Sequence, residues 1–172
     1  MLFRSLEGGR YPARSIDENL ADVSAQIAAN QSGAVALKRL MSVEGVAHTL
    51  AYMEHIQSAA EGRMRSALGR FEDGDYRFED KLDDGSRIRL LLRVRGERAV
   101  LDFAGTSPPV ESNLNANLAI VKAAVIYCFR CLIDEEIPLN EGVLTPLELH
   151  VPICLLNPRP GPDAASSPAV VG

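Results

Sequence analysis

The residue types that could do chemistry are few and dispersed. His48 and His55 stand seven apart in a helical stretch with Glu44 one turn earlier, which invites a metal. Metal motifs on helices space their ligands by three or four and converge three or four of them, so this pair reads better as solvated or partner-facing. Cys128 and Cys131 form C-x-x-C. A redox pair needs its first thiol near a helix N-terminus, and both fall inside an apolar run, so buried structural thiols are expected. Cys154, between Ile153 and Leu155, is expected in the core, and no spacing supports a Cys-His pair with His150. Arg87, Arg89 and Arg93 share one side of a strand pair with Asp102, where guanidinium forks could hold a phosphate or carboxylate. The competing reading is a wet sheet face with Arg93 diagonal to Asp102. No nucleophile motif or phosphate loop accompanies these residues, so they do not by themselves spell out a reaction.

The elements that must position them follow from periodicity. Ser15 or Asp17 can cap a helix whose Leu20, Val23, Ile27, Ala34, Leu37 and Met41 keep three-and-four spacing, with Asn30 at one seam position. Val43, Val46, Leu50, Met53, Gln57, Ala60, Met64 and Leu68 continue the pattern, and Gly45 marks a bend or tight turn between the two. A helical hairpin and one long bent arm both fit, the hairpin being preferred. Farther on, Tyr76 and Phe78 alternate with charged residues, as do Ile88, Leu90, Leu92 and Val94 with Arg87, Arg89 and Arg93. With Gly96 and Glu97 at the centre of a type II′ turn, Val94 falls opposite Ala99, Leu92 opposite Leu101 and Leu90 opposite Phe103, all on one face. A last helix starts near Ala116 or Asn117. From Leu118 to Ile133 it is apolar nearly all round, broken by Lys122 and Arg130, so it must be buried, with part of its cover coming from other protein.

Composition narrows the function classes. A net charge of -5 on 172 residues lacks the basic footprint of nucleic-acid binding, and the absence of Trp argues against base stacking. The apolar run is too short and interrupted for a membrane span. Three cysteines, with no signal-like apolar stretch at the start, lead to an expectation of reduced thiols in the cytoplasm.

Polar strings recur in a fixed order: DVSAQIAAN, AYME leading to RMRSAL, DGDYRFEDKLDDG, LDFAGTSP, NLNA, IPLNEG and LLNPRP. In these, from about Asp17 to Pro160, the chain resembles the hydantoinase B/oxoprolinase family. That resemblance implies a hydrolase role in ATP-dependent opening of cyclic amides such as 5-oxoproline or hydantoins. A hydantoinase A-type ATP-binding partner would phosphorylate the amide oxygen, and the B part would carry out the later hydrolysis or carboxylation. ATP and a divalent metal are implied for the full complex and none for this segment, because the family's Asp/His-rich segment lies upstream of these residues. Asp102, Asn115 and Asn140 sit in resembling strings and could bind a substrate amide; the alternative for each is turn and cap chemistry. No catalytic base is named.

The expected fold is therefore α+β: a long helical hairpin arm over residues 1–71, then a small antiparallel sheet packed on a buried helix over 72–160, then an irregular tail over 161–172. The leading functional expectation is a partial subunit inactive alone. The alternatives are an oligomerisation or subunit-interaction module without catalysis, or a small stand-alone hydrolase using His48, His55 and His150; a homo-oligomer is expected beside the hydantoinase A-type partner.

Overall fold

The computed structural model describes residue 12 and residues 15–131, 140–162 and 167–170. Two long consecutive helices, α1 (Ile16–Glu44) and α2 (Val46–Leu68), precede strands β1 (Gly74–Lys81), β2 (Arg87–Arg95) and β3 (Arg98–Asp102). Helix α3 (Leu118–Arg130), a 3-10 turn (Glu141–Leu144) and strand β4 (Leu147–His150) complete an α+β fold. The chain divides into two compact units, one running up to His55 with the stretch from Gly161, the other comprising Ile56–Pro160 and the stretch from Pro168.

In the first unit α1 begins after Ser15 and ends at Gly45, whose N–H donates to the Met41 carbonyl. It buries none of its residues, and Ile27 and Leu37 of its apolar seam stay exposed.

In the second unit the sheet runs β1-β2-β3-β4. The β2-β3 hairpin has the register that alternation requires, with Leu92 opposite Leu101 and Val94 opposite Ala99. Gly96 takes a φ of 55° while Glu97 stays in the negative region, which suits a type II′ turn and excludes type I′. Phe103 falls just past the end of β3, so Leu90 and Phe103 meet on one face without forming a ladder pair. β1 pairs antiparallel with β2, but β4 pairs parallel with β3, so the sheet is mixed rather than wholly antiparallel. The cause is connectivity: α3 carries the chain from β3 back to the same end, and such a crossover delivers a parallel neighbour.

The core lies between one sheet face, α3 and the last three turns of α2. Ala60, Met64, Leu68, Val94, Leu101, Val121, Val125, Phe129 and Val143 form it. The sequence predicts that α3 is buried nearly all round; the structure encloses only the stripe Val121, Val125 and Phe129, four residues apart, and leaves Tyr127 72% exposed. Cys128 and Cys131 are exposed, correcting their assignment as buried thiols: Cys128 borders the open apolar cleft and Cys131 caps the end of α3; Cys154 is buried as expected. Leu132 and Ile133 lie outside the described residues. An apolar cleft of about 420 Å3 remains between α3 and the sheet, and Tyr76 and Phe78 of β1 stay largely exposed on the same side.

Candidate functional site

The other sheet face is polar, and the LDFAGTSP string organises it. Asp102 ends β3 directly opposite His150 of β4 and Leu91 of β2. Its Oδ1 accepts from His150 Nδ1 at 2.8 Å and from the Ala104 N–H at 3.0 Å, and its Oδ2 lies 3.4 Å from Arg93. An ionised carboxylate only accepts, so Nδ1 carries the proton and Nε2 is left as the outer ring nitrogen. The His150 hydrogen bond first, and the Ala104 N–H second, hold the Asp102 carboxyl below its ordinary value of 3.8, against a smaller opposing effect of burial.

Two residues past Ala104's neighbour Phe103, Gly105 has a φ of 89°, a region that side-chain-bearing residues rarely adopt. A Cβ there would sit 2.9 Å from Arg89 Cδ, so the missing side chain makes room for the guanidinium arm. Thr106 then accepts from the Arg89 N–H at 3.1 Å, and Ser107 Oγ accepts from the Arg87 N–H at 2.9 Å. These bonds continue the edge of β2 where β3 has ended, and so anchor Arg87 and Arg89. Both arginines reach Glu79 on β1, whose carboxyl is lowered chiefly by the Arg89 hydrogen bond. The result is a cleft of about 460 Å3 lined by Arg77, Glu79, Arg89, Leu91, Asp102 and Ala104.

The sequence-derived candidates do not converge there. Asn115 is fully buried: its Oδ1 accepts from the Val110 N–H, and its Nδ2 donates to the carbonyls of Val110, Ser112 and Ala169. Asn140 caps the 3-10 turn through the Gly142 N–H at 2.8 Å and donates to the Ile56 carbonyl. Asp102 alone of the three faces the polar cleft. His48 and His55 are exposed on α2, with His55 beside the Tyr52 ring. His150 is the residue that sequence reasoning passed over as a partner of Asp102, since only the parallel placement of β4 sets the two side by side.

The donor set does not suit a divalent cation. Asp102 and Glu79 each already face guanidinium groups, and no group of three or more His, Cys, Asp or Glu side chains converges among the described residues. None of the described helices is long and apolar enough to cross a membrane.

A four-stranded mixed sheet with a crossover helix on one face and an arginine-lined polar cleft on the other thus defines an α+β chain with a small-molecule-sized cleft. Comparison supplies its kinship. Residues 2–170 match hydantoinase B/oxoprolinase, and the chain belongs to that family. It is 41% identical over 164 residues to the 5-oxoprolinase of Saccharomyces cerevisiae, covering 89% of this chain and 13% of the yeast protein. With 5-oxoprolinase 1 of Arabidopsis thaliana the identity is 42% over 155 residues, covering 81% of this chain and 12% of the plant protein. The fold is shared with the ATP-dependent caprolactamase from Pseudomonas jessenii, at a TM-score of 0.71 and 24% identity, over 96% of this chain and 28% of that one. The chain therefore spans a minor part of each of these relatives.

Proposed function

We propose that this chain is one portion of an amidohydrolase that opens a cyclic amide, 5-oxoproline being the leading substrate, in an ATP-dependent reaction with a hydantoinase A-type partner. The observation that carries this reading is the 41% identity to a 5-oxoprolinase across 89% of the chain, set beside the 13% of that relative it spans. The uncovered apolar side of α3 and the exposed seam of α1 support it, because surfaces of that kind are normally closed by further protein. An unactivated lactam resists hydrolysis; phosphorylation of its oxygen by the partner opens the ring carbon to water, after which the ring C–N bond breaks with the nitrogen taking a proton, and the phosphate leaves as the carboxylate forms. ATP and the divalent cation are assigned to the rest of the assembly. The cation finds no fitting donor set in the cleft. Exposed Cys128 and Cys131 fit a reducing, cytoplasmic setting.

The test is an ATP-dependent assay of 5-oxoproline conversion to glutamate. The isolated chain is expected to show no turnover, and turnover should follow when it is combined with a hydantoinase A-type protein and the remaining B-type polypeptide. Turnover by the chain alone would sink the partial-subunit reading in favour of the stand-alone hydrolase. Continued inactivity of the full assembly toward 5-oxoproline would reject the substrate.

A further inference from the structure

The cleft on the polar sheet face holds an arginine that no described ion pair engages. It is lined by Arg77 and Arg89 together with Glu79 and Asp102, flanked by Arg87 and Arg93, while Asp75, opposite Arg93, is paired with Arg95. Arg77 stands opposite Leu91 on the neighbouring strand, and no described residue gives its guanidinium a hydrogen bond or ion pair. Next across the sheet comes Asp102, then His150, so that Arg77, Leu91, Asp102 and His150 form one row over four strands. Along this row a cation, an apolar floor and an acceptor lie in order. Asp102 Oδ1 is occupied by His150 and Ala104, whereas Oδ2 has only the long 3.4 Å contact to Arg93 among the described residues and keeps acceptor capacity.

We propose that this cleft binds a small ligand through an oxyanion held by Arg77 and Arg89 and an N–H donated to Asp102 Oδ2, with a compact ring lying on Leu91. A guanidinium fork matches a carboxylate or phosphoryl group, and an ionised carboxylate on the opposite wall selects a donor rather than a second anion. A volume of about 460 Å3 suits a ligand of that size. A lactam bearing a carboxylate has all three features. That choice of ligand rests on the function proposed above, whereas the oxyanion site rests on the cleft alone. Asp102 is here a binding residue, and His150 is a positioning residue that holds its carboxylate in place.

Calorimetric titration of the full chain at fixed ionic strength tests this with three probes: 5-oxoproline, 2-pyrrolidone (the same ring without the carboxylate) and inorganic phosphate. Saturable one-site binding of 5-oxoproline is expected, with none of 2-pyrrolidone. Arg77→Ala should weaken binding by roughly tenfold or more, the usual scale for losing a charged hydrogen bond. Arg95→Ala, which removes an arginine paired with Asp75 outside the cleft, should leave binding unchanged. Asp102→Asn should weaken 5-oxoproline but not phosphate. Phosphate binding without 5-oxoproline binding would sustain the oxyanion site and overturn the lactam as its ligand. Absence of saturable binding by either anion, or equal losses from Arg77→Ala and Arg95→Ala, would overturn the site. These readings need no ATP and no partner, so failure of the assembled reaction would leave them standing.

Discussion

α1 and the C-terminal half of α2 carry apolar residues at the same three-and-four spacing, yet α1 buries none of its residues, while Ala60, Met64, Ala67 and Leu68 of α2 are all closed off. The second stretch joins the cluster that includes Val94, Leu101, Val125 and Val143. The first has no such company among the described residues. Apolar periodicity thus reports which side of a helix is meant to be covered, and leaves open whether the cover comes from the same chain. α3 shows both outcomes within one element, one stripe enclosed and the remainder facing outward.

The largest effect should come from the enclosed side. Met64→Ala removes a side chain with no exposure and should cost about 2–5 kcal/mol in urea unfolding of the second unit. A loss under about 0.5 kcal/mol would erase the contrast between the helices, since it would match an ordinary surface change.

Gly142→Ala sharpens the same point from the opposite side of the packing. An added Cβ would fall on the Gln57 carbonyl oxygen of α2, so the turn and the helix must separate. A cost of about 1–3 kcal/mol is expected, typical of overpacking, and unchanged stability would show that residues 56–68 are held less firmly than described.

A smaller effect should appear in acid. Asp102 is depressed in the folded chain below its ordinary 3.8, so the stability it contributes is present above that value and is lost as pH falls through the still lower folded value. Urea unfolding followed from about pH 5 toward about pH 2 should therefore lose stability less steeply in Asp102→Asn than in the parent chain. Identical slopes would mean that the His150 contact does not persist in solution.

The smallest change is expected at α1. Ile27→Asp alters a residue that is 53% exposed and should shift unfolding of the isolated chain by less than about 0.5 kcal/mol. In the assembly proposed above the same substitution should weaken association, measured by co-purification, if the seam is closed by partner protein. A large loss of stability in the isolated chain would instead place α1 in its own core.

Much of the fold could be read from local pattern. The Leu92–Leu101 and Val94–Ala99 pairs followed from alternation around Gly96, because a slip of one residue would turn every apolar side chain to the wrong face. Asn117, expected at the start of α3, does cap it, its side chain accepting from the Ile120 N–H. The thiols went astray for a definable reason: an almost uniformly apolar run does not disclose how much of it will be enclosed, and Cys128 borders an open cleft while Cys131 lies at the end of α3. The candidate site was legible only in Asp102 and the arginines, since alternation assigns a face but not the contacts made on it.

By itself the sequence determined the two long helices, the hairpin register and the family, because periodicity, turn residues and ordered strings are properties of neighbours along the chain. Only the tertiary structure decided that β4 runs parallel beside β3, that His150 meets Asp102, and that Arg89 lies over Gly105. Those contacts join residues separated in the chain, and the two made by β4 form only once α3 has carried it back across the sheet.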